Sequence, residues 1–162
     1  MPLIDFSYRE GALSAENLEW LLPRLTKTLM YWEKMPDTST SRARTELWAH
    51  EFPASRTLVG GSADHRPYYR IDLKFPANRL GDLDRAGIIR DFTRLVLTAE
   101  GSPVNSVEAA RVWVLIRDIP ADSWGVSGHR DWMRDYETAL DSISVDPADL
   151  GTGQTGVEQL GP

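Results

Sequence analysis

Apolar and polar positions along the chain predict a strand, a helix and a strand, and then the same three elements again. Residues 3–8 form a short apolar segment typical of a strand, and residues 45–52 predict a second strand that ends at Pro53. Between these two segments, five leucines recur at helical spacing: Leu18, Leu21, Leu22, Leu25 and Leu29. The first third of the chain therefore reads as one strand–helix–strand unit.

The second unit follows after a polar stretch. Residues 68–75 predict a strand, and residues 84–97 predict a helix. The apolar residues expected to face inward from that helix are Ile88, Ile89, Phe92, Leu95 and Val96. Residues 112–116 are almost wholly apolar, which is typical of a strand buried on both faces.

The two units are copies of one another. When the chain is shifted by 67 positions, residues 2–61 align with residues 69–128 without a gap, and 13 of the 60 pairs are identical. The identical pairs include Glu33 with Glu100 and Arg44 with Arg111. This agreement is several times what chance gives, so the chain is predicted to be an internal duplication.

The duplication predicts an α+β fold. A strand–helix–strand unit of this length makes a parallel strand pair. Two units give duplicated β-α-β units forming a four-stranded, mainly parallel sheet with two helices on one face. The other face is then expected to be apolar and to pack against other subunits. Small residues at 59–61 and 126–128 predict short edge strands or turns that pair between subunits.

The repeats define a domain of residues 1–128, followed by a different segment at 129–162. Residues 129–140 carry apolar side chains at helical spacing and predict a short amphipathic helix. The remaining residues are rich in Gly, Asp, Ser and Thr, and the last dozen are predicted to be a flexible tail.

Composition narrows the function classes. The chain has no cysteine, so disulfides and thiolate chemistry are excluded. Its net charge of −6 argues against a nucleic-acid partner. No apolar run approaches the roughly 20 residues that cross a bilayer, and the first ten residues do not resemble a secretion signal. These features predict a cytoplasmic protein with no membrane partner.

Pro2 is the residue that suggests chemistry. Removal of the initiator methionine would leave a secondary amine, and a free chain amine has a pKa of about 8. Burial beside apolar side chains or a nearby cation lowers such a pKa. Near neutral pH this nitrogen can act as a general base or acid, or as a nucleophile towards a carbonyl.

Together, the duplication and the proline at position 2 resemble the tautomerase superfamily, and its cis-3-chloroacrylic acid dehalogenase-like branch in particular. The resemblance covers about residues 2–128. Beside Pro2 it rests on residues 51–54 leading to residues 59–61, on Arg79 with residues 82–83 before the second helix, and on residues 112–114 leading to Pro120.

The resemblance implies a homotrimeric isomerase without a cofactor or a metal, acting on a small enol or 2-oxo carboxylic acid. Pro2 matches the catalytic proline. Arg79 matches an arginine that holds the substrate carboxylate, a role that a guanidinium beside helix amides suits. Tyr31 and Trp113 are predicted to line the substrate pocket.

Other positions depart from the branch's pattern. The dehalogenase's second arginine, histidine, strand tyrosine and water-activating carboxylate become Pro76, Leu29, Leu115 and Val126. Dehalogenation and decarboxylation are therefore expected to be less favoured than keto–enol tautomerisation, and the superfamily's acidic decarboxylase residue falls near Arg44.

Two alternatives stay open. One is a non-catalytic trimeric module on the same fold. The other is a weak cis-3-chloroacrylate dehalogenase or hydratase in which Tyr31, Glu51 or Asp122 replaces the missing groups.

Histidine and arginine positions add no further motif. His50, His65 and His129 do not form metal-ligand spacing, so no metal site is predicted. The equivalence of Arg44 and Arg111 favours a structural role, for which a subunit interface is one candidate.

Overall fold

The computed structural model describes residues 2–125. The predicted helix at 129–140, the tail and the second small-residue segment at 126–128 lie outside the described residues. The compact unit built by the described elements ends at Trp124.

The described residues form two strand–helix–strand units, each with a short extra helix before its second strand. In chain order the elements are β1 (Leu3–Arg9), α1 (Ala15–Trp32), α2 (Ser39–Arg42), β2 (Glu46–Phe52), β3 (Tyr69–Pro76), α3 (Asp82–Glu100), α4 (Ser106–Ala109) and β4 (Val112–Ile119). A 3₁₀ turn follows each second strand, at Ala54–Arg56 and at Ala121–Ser123. Both the short helices and the 3₁₀ turns recur at the 67-residue offset of the sequence repeat.

The duplication extends to the strand register. Leu3 pairs with Glu46 in the first unit, and Tyr69 pairs with Val112 in the second, a separation of 43 residues in both. The sheet order is β2-β1-β3-β4, with parallel outer pairs and an antiparallel central pair. The predicted fold class, a mainly parallel four-stranded sheet with two helices, is confirmed.

Local signals account for where the helices begin and end. The Ser14 hydroxyl accepts a hydrogen bond from the Asn17 N–H and caps α1. The Asp84 carboxylate accepts from the Gly81 N–H (3.1 Å) at the start of α3. Gly101, with a φ of 76°, ends α3 in the left-handed conformation that glycine adopts readily.

The core lies between the two long helices and one face of the sheet. Leu21, Leu25 and Leu29 of α1 are fully buried, as are Ile88 and Phe92 of α3. Burying a side chain of this size stabilises the fold by about 1.5–3 kcal/mol. The prediction for Ile89 is wrong: this side chain is 44% exposed, because it lies one position away from the buried face set by Ile88 and Phe92.

The opposite face of the sheet is not the apolar surface expected from the sequence. Its centre carries two charged clusters, in which Asp5 contacts Lys74 and His50, while Asp72 contacts Arg70 and Arg117. Strand alternation explains the difference, because every second residue of the central strands β1 and β3 points to this face and most of those residues are polar.

Aromatic residues flank these charges on the outer strands. Trp48 and Phe52 of β2 and Trp113 of β4 are exposed. The expectation that residues 112–116 are buried on both faces is therefore wrong for the single chain, since Trp113 is 58% exposed and Leu115 is 37% exposed. β4 is an edge strand with one face on the core and one face open.

Residues 59–62 form a tight turn, one of the two forms predicted for this segment. Val59 and Ser62 exchange both backbone hydrogen bonds (2.9 and 3.1 Å), and the two intervening glycines have positive φ. This backbone is the two-residue hairpin geometry that glycine favours. Pairing of the turn with another subunit stays a prediction. Among the described residues, none of the helices has the length and apolar character needed to span a bilayer.

Candidate active site

Pro2 lies at the entrance of β1, in the middle of the sheet, and is buried. Its carbonyl oxygen accepts a hydrogen bond from the Glu46 N–H at 3.3 Å, which fixes the backbone beside β2. Strand alternation directs position 2 to the same face as Ile4 and Phe6, the face covered by the helices. The backbone of Pro2 is thus held in place beside the first residue of β2.

Glu33 is a half-buried residue near this end of the sheet. It caps the C-terminal end of α1, where its N–H donates to the Leu29 carbonyl. One of its carboxylate oxygens, Oε2, is fully covered and has no hydrogen-bond partner among the described residues. Burial raises the pKa of Glu33 to about 7, although the positive charges of the chain's amino terminus and of Arg79 act to lower it.

Arg79 is the cation that acts on Glu33, and Pro2, Glu33 and Arg79 are called the Pro2 cluster below. It follows Asn78, whose positive φ of 68° turns the chain after β3, and it precedes the Gly81 cap of α3. The guanidinium is exposed and acts electrostatically on Glu33. An exposed cation next to the first turn of a long helix can bind an incoming anion.

Packing between α1 and α3 holds the parts of the cluster together. The Lys34 ammonium forms a salt bridge with Asp84 at 3.5 Å. The Trp32 indole donates a hydrogen bond to Asp91 at 3.0 Å. The ring of Trp32 also lies directly over Gly87, where a Cβ atom would come within 2.2 Å of it. Glycine therefore allows the close approach that brings the end of α1 to the start of α3.

Tyr31 lies beside this cluster on the surface of α1. Its ring is 72% exposed and makes an edge-on contact with Trp32, with ring centroids 5.3 Å apart. Tyr31 therefore leaves a large face free for another molecule, and no hydrogen bond of its hydroxyl is seen within the described residues.

Trp113 lies at the other end of the sheet. It pairs with Arg70, which in turn pairs with Ser7, and Ser7 is about 16 Å along β1 from Pro2 at 3.3 Å per residue. Trp113 lines a cavity of about 530 Å³ together with Phe52, Arg56 and other residues. Within one chain, Pro2 and Trp113 are not brought together.

Solved structures with this arrangement of strands and helices are numerous. A structure of Pt0534 inactivated by 2-oxo-3-pentynoate is 24% identical, with a TM-score of 0.64, over 78% of this chain and 92% of that one. A symmetric trimer of wild-type fused 4-OT is 20% identical, with a TM-score of 0.63, over 77% and 91% of the two chains. N1, a member of the cis-3-chloroacrylic acid dehalogenase family, is 14% identical, with a TM-score of 0.65, over 90% and 94%.

The chain has the tautomerase fold. The likeness rests on structure, since no protein-family model and no curated protein sequence matches the chain. The predicted resemblance is confirmed at the level of the structural neighbours, and each neighbour is covered over more than nine-tenths of its length.

The second repeat of this tautomerase fold has an equivalent cluster, called the closed cluster below, in which the charged side chains are paired with one another. Tyr69 stands at the position equivalent to Pro2, Glu100 at that of Glu33, and Arg111 at that of Arg44. Arg111 is buried and donates to both oxygens of Glu100 (2.8 and 2.5 Å) and to Glu108. Arg66 also donates to Glu108 at 2.5 Å. These contacts pair both acidic groups of the second repeat, whereas Oε2 of Glu33 in the first repeat has no partner among the described residues.

Electrostatics within this closed cluster differ from those at Glu33. Burial raises the pKa of Glu100, but the hydrogen bonds from Arg111 and other donors and the charge of Arg111 together outweigh that effect, so the pKa lies below its ordinary value. Arg66 and Arg111 likewise lower the pKa of Glu108. The predicted structural role of Arg111 fits this geometry, whereas the suggested place at a subunit interface does not, because Arg111 is buried within its own chain.

The remaining candidates form separate interactions. His50 Nε2 lies 3.2 Å from Asp5 on the open face of the sheet. His65 contacts the carbonyls of Thr57 and Arg66 through its two ring nitrogens, and His129 lies outside the described residues. Residues 2–125 contain no group of three His, Asp or Glu side chains that could hold a metal ion.

Sequence analysis missed Glu33 as a site residue. The identity between Glu33 and Glu100 was a signal, because a charged residue retained in both repeats at the end of a long helix suggests a shared position. The pattern could not show that Glu100 is paired while Oε2 of Glu33 has no partner.

Proposed function

We propose that the chain is a tautomerase-superfamily enzyme that uses the Pro2 nitrogen as general base and acid on a small enol or 2-oxo carboxylic acid. The observation that carries the proposal is the placement of Pro2, buried at the entrance of a central strand. Glu33, whose pKa is raised by burial and lowered by the charge of Arg79, adds a proton-binding group. A reactive group, a proton-binding group and an anion-binding cation therefore share one end of the fold.

The chemistry asks for few groups. Keto–enol tautomerisation moves one proton from oxygen to carbon, and a nitrogen with a pKa near neutrality can both accept and donate that proton. Arg79 would hold the substrate carboxylate through charge-assisted hydrogen bonds. Tyr31, exposed beside the cluster, would contact the rest of the substrate.

A homotrimer would bring Trp113 into the pocket. Since Pro2 and Trp113 lie at opposite ends of the sheet, Trp113 can reach a pocket that contains Pro2 only from another copy of the chain. The exposed aromatic residues on the open face are the kind of surface that subunits bury. The trimer of fused 4-OT is a precedent for such an assembly on this fold.

Turnover of an enolised aryl pyruvate tests the proposal. Wild-type protein, with the initiator methionine shown by intact mass to be absent, is expected to accelerate ketonisation. Pro2→Ala is expected to lose most of the rate, since it replaces the secondary amine. Equal rates in the two proteins would refute a catalytic proline and favour the non-catalytic trimeric module.

Covalent labelling gives a second readout. Pt0534 is inactivated by 2-oxo-3-pentynoate, and a nucleophilic amine can add to the conjugated alkyne of that compound without a leaving group. Incubation should therefore increase the mass of the wild type by one inhibitor molecule, located on Pro2 by peptide mapping. Labelling elsewhere, or none, would count against a reactive nitrogen.

Weak dehalogenase or hydratase activity stays an alternative. Product analysis with both isomers of 3-chloroacrylate distinguishes it, because tautomerisation alone would leave these compounds unchanged.

A further inference from the structure

The proposed function assigns no role to the carboxylate of Glu33, although this carboxylate has an oxygen atom without a hydrogen-bond partner among the described residues. Its Oε2 atom is fully covered without a hydrogen bond, although a buried charged oxygen normally has donors. A covered carboxylate oxygen without a donor indicates either that the carboxyl group is protonated or that a molecule outside the chain donates a hydrogen bond to it.

The internal duplication indicates what faces Glu33. In the second repeat the equivalent residue, Glu100, lies beside Tyr69. The pKa of the Tyr69 hydroxyl is raised by burial and by the charge of Glu100, and Tyr69 in turn contributes to lowering the pKa of Glu100. Tyr69 occupies the position equivalent to Pro2, and the two units have the same strand register. Glu33 is therefore expected to face position 2.

The side chain at position 2 is shorter than the side chain at position 69. The phenol of Tyr69 extends to the acidic cluster of the second repeat. A proline ring is much shorter, so no atom of position 2 can take the corresponding place in front of Glu33. The place that the phenol takes up beside Glu100 is therefore not filled from position 2 in the first repeat.

We propose that Glu33 is the second proton-transferring group of the site, exchanging the proton on the substrate oxygen while Pro2 exchanges the proton on carbon. This role rests on the proposed function. In the direction of ketonisation, the enol O–H gives its proton to the Glu33 carboxylate as the carbonyl forms, and the protonated Pro2 nitrogen gives its proton to carbon.

The cycle closes without a further reactant. After the step Glu33 is neutral and Pro2 is the free amine, so transfer of one proton from Glu33 to Pro2, directly or through water, restores the starting state. The substrate has exchanged an O–H for a C–H bond, and the enzyme has gained and lost one proton. The charged groups acting on Glu33 are the amino terminus and Arg79, while Lys34, the next residue along the chain, forms a salt bridge with Asp84 of α3.

Glu33→Gln tests the role, with Glu19→Gln as the matched control on an exposed position of the same helix. The glutamine keeps the shape of the side chain but cannot carry the proton. Loss of one general acid–base group should lower kcat by about 100-fold or more, with little change in KM. The kcat profile should also lose the ionisation of Glu33 and keep that of Pro2, and Glu33→Asp should recover part of the rate.

The outcomes separate the two proposals. A wild-type kcat and pH profile in Glu33→Gln, alongside an inactive Pro2→Ala, would remove the role of Glu33 and leave the function of Pro2 intact. Absence of Pro2-dependent turnover in the wild type would remove both. A selective loss in Glu33→Gln, with Glu19→Gln unaffected, would establish the second proton-transferring group.

Discussion

Replacement of Glu33 by glutamine should change how the stability of the fold depends on pH. The pKa of Glu33 rises on folding because burial disfavours the charged form. A group whose pKa is higher in the folded protein stabilises the fold fully below its unfolded pKa. That stabilisation is lost as the pH rises through the folded pKa. The neutral amide of glutamine has no such dependence.

The structure sets the size of the effect. The pKa of Glu33 moves from its ordinary value of 4.5 to about 7 in the fold, and each pKa unit corresponds to about 1.36 kcal/mol. The wild type should therefore lose about 3 kcal/mol relative to Glu33→Gln as the pH rises between these values. Above neutral pH the difference should stay constant, because Glu33 is then ionised in both the folded and the unfolded state.

Urea unfolding at constant protein concentration measures this difference, with Glu19→Gln as the control. Other carboxylates with shifted pKa values do not contribute to the difference in stability between the wild type and Glu33→Gln. Asp5, Glu100 and Glu108 have lowered pKa values, so their contributions fall away at more acidic pH and are common to both proteins. A difference that stays flat from acidic to alkaline pH would refute a buried, weakly acidic Glu33, whatever the enzymatic assays show.

Three further predictions concern other parts of the fold. Arg111→Met should destabilise the protein by about 3–5 kcal/mol in urea unfolding, because it leaves the carboxylate of Glu100 without its cation and that of Glu108 with Arg66 alone; a loss below 1 kcal/mol would contradict this. Gly87→Ala should destabilise the protein although alanine favours helices by about 1 kcal/mol, because the new methyl group meets the Trp32 ring; a raised melting temperature would show that the ring moves freely. Trp113→Ala should be inactive alone but regain part of the rate when mixed with Pro2→Ala and reassembled, since some pockets then combine an intact residue from each chain; no recovery in verified mixed trimers would place Trp113 outside the pocket.

Much of the fold could be predicted because the two repeats share both identical residues and the same spacing of apolar positions. The 67-residue offset returns in the short helices, the 3₁₀ turns and the strand register. The core of α1 followed from leucine spacing alone, and Leu21, Leu25 and Leu29 are all fully buried. Local signals of this kind need no knowledge of what lies across the fold.

The errors arose where the environment of a residue depends on distant parts of the chain. Residues 112–116 are apolar, but their burial depends on what covers the sheet, and Trp113 and Leu115 are exposed. The open face was expected to be apolar although the alternation of Asp5 with Phe6, and of Asp72 with Leu73, already placed charges on it. Glu33 was missed because pairing and burial are properties of the folded neighbourhood.

The two repeats therefore show one scaffold in two chemical states. In the second repeat, two carboxylates and a buried arginine are paired with one another, and this cluster ties α3 and α4 to the sheet. The Tyr69 hydroxyl is buried beside them and has no hydrogen-bond partner among the described residues. In the first repeat the position of the tyrosine is taken by Pro2, whose side chain cannot reach Glu33, and the carboxylate oxygen is left without a partner among the described residues. An unpaired buried oxygen costs stability, and that cost is the physical reason to expect that a ligand, rather than the chain itself, completes the first cluster.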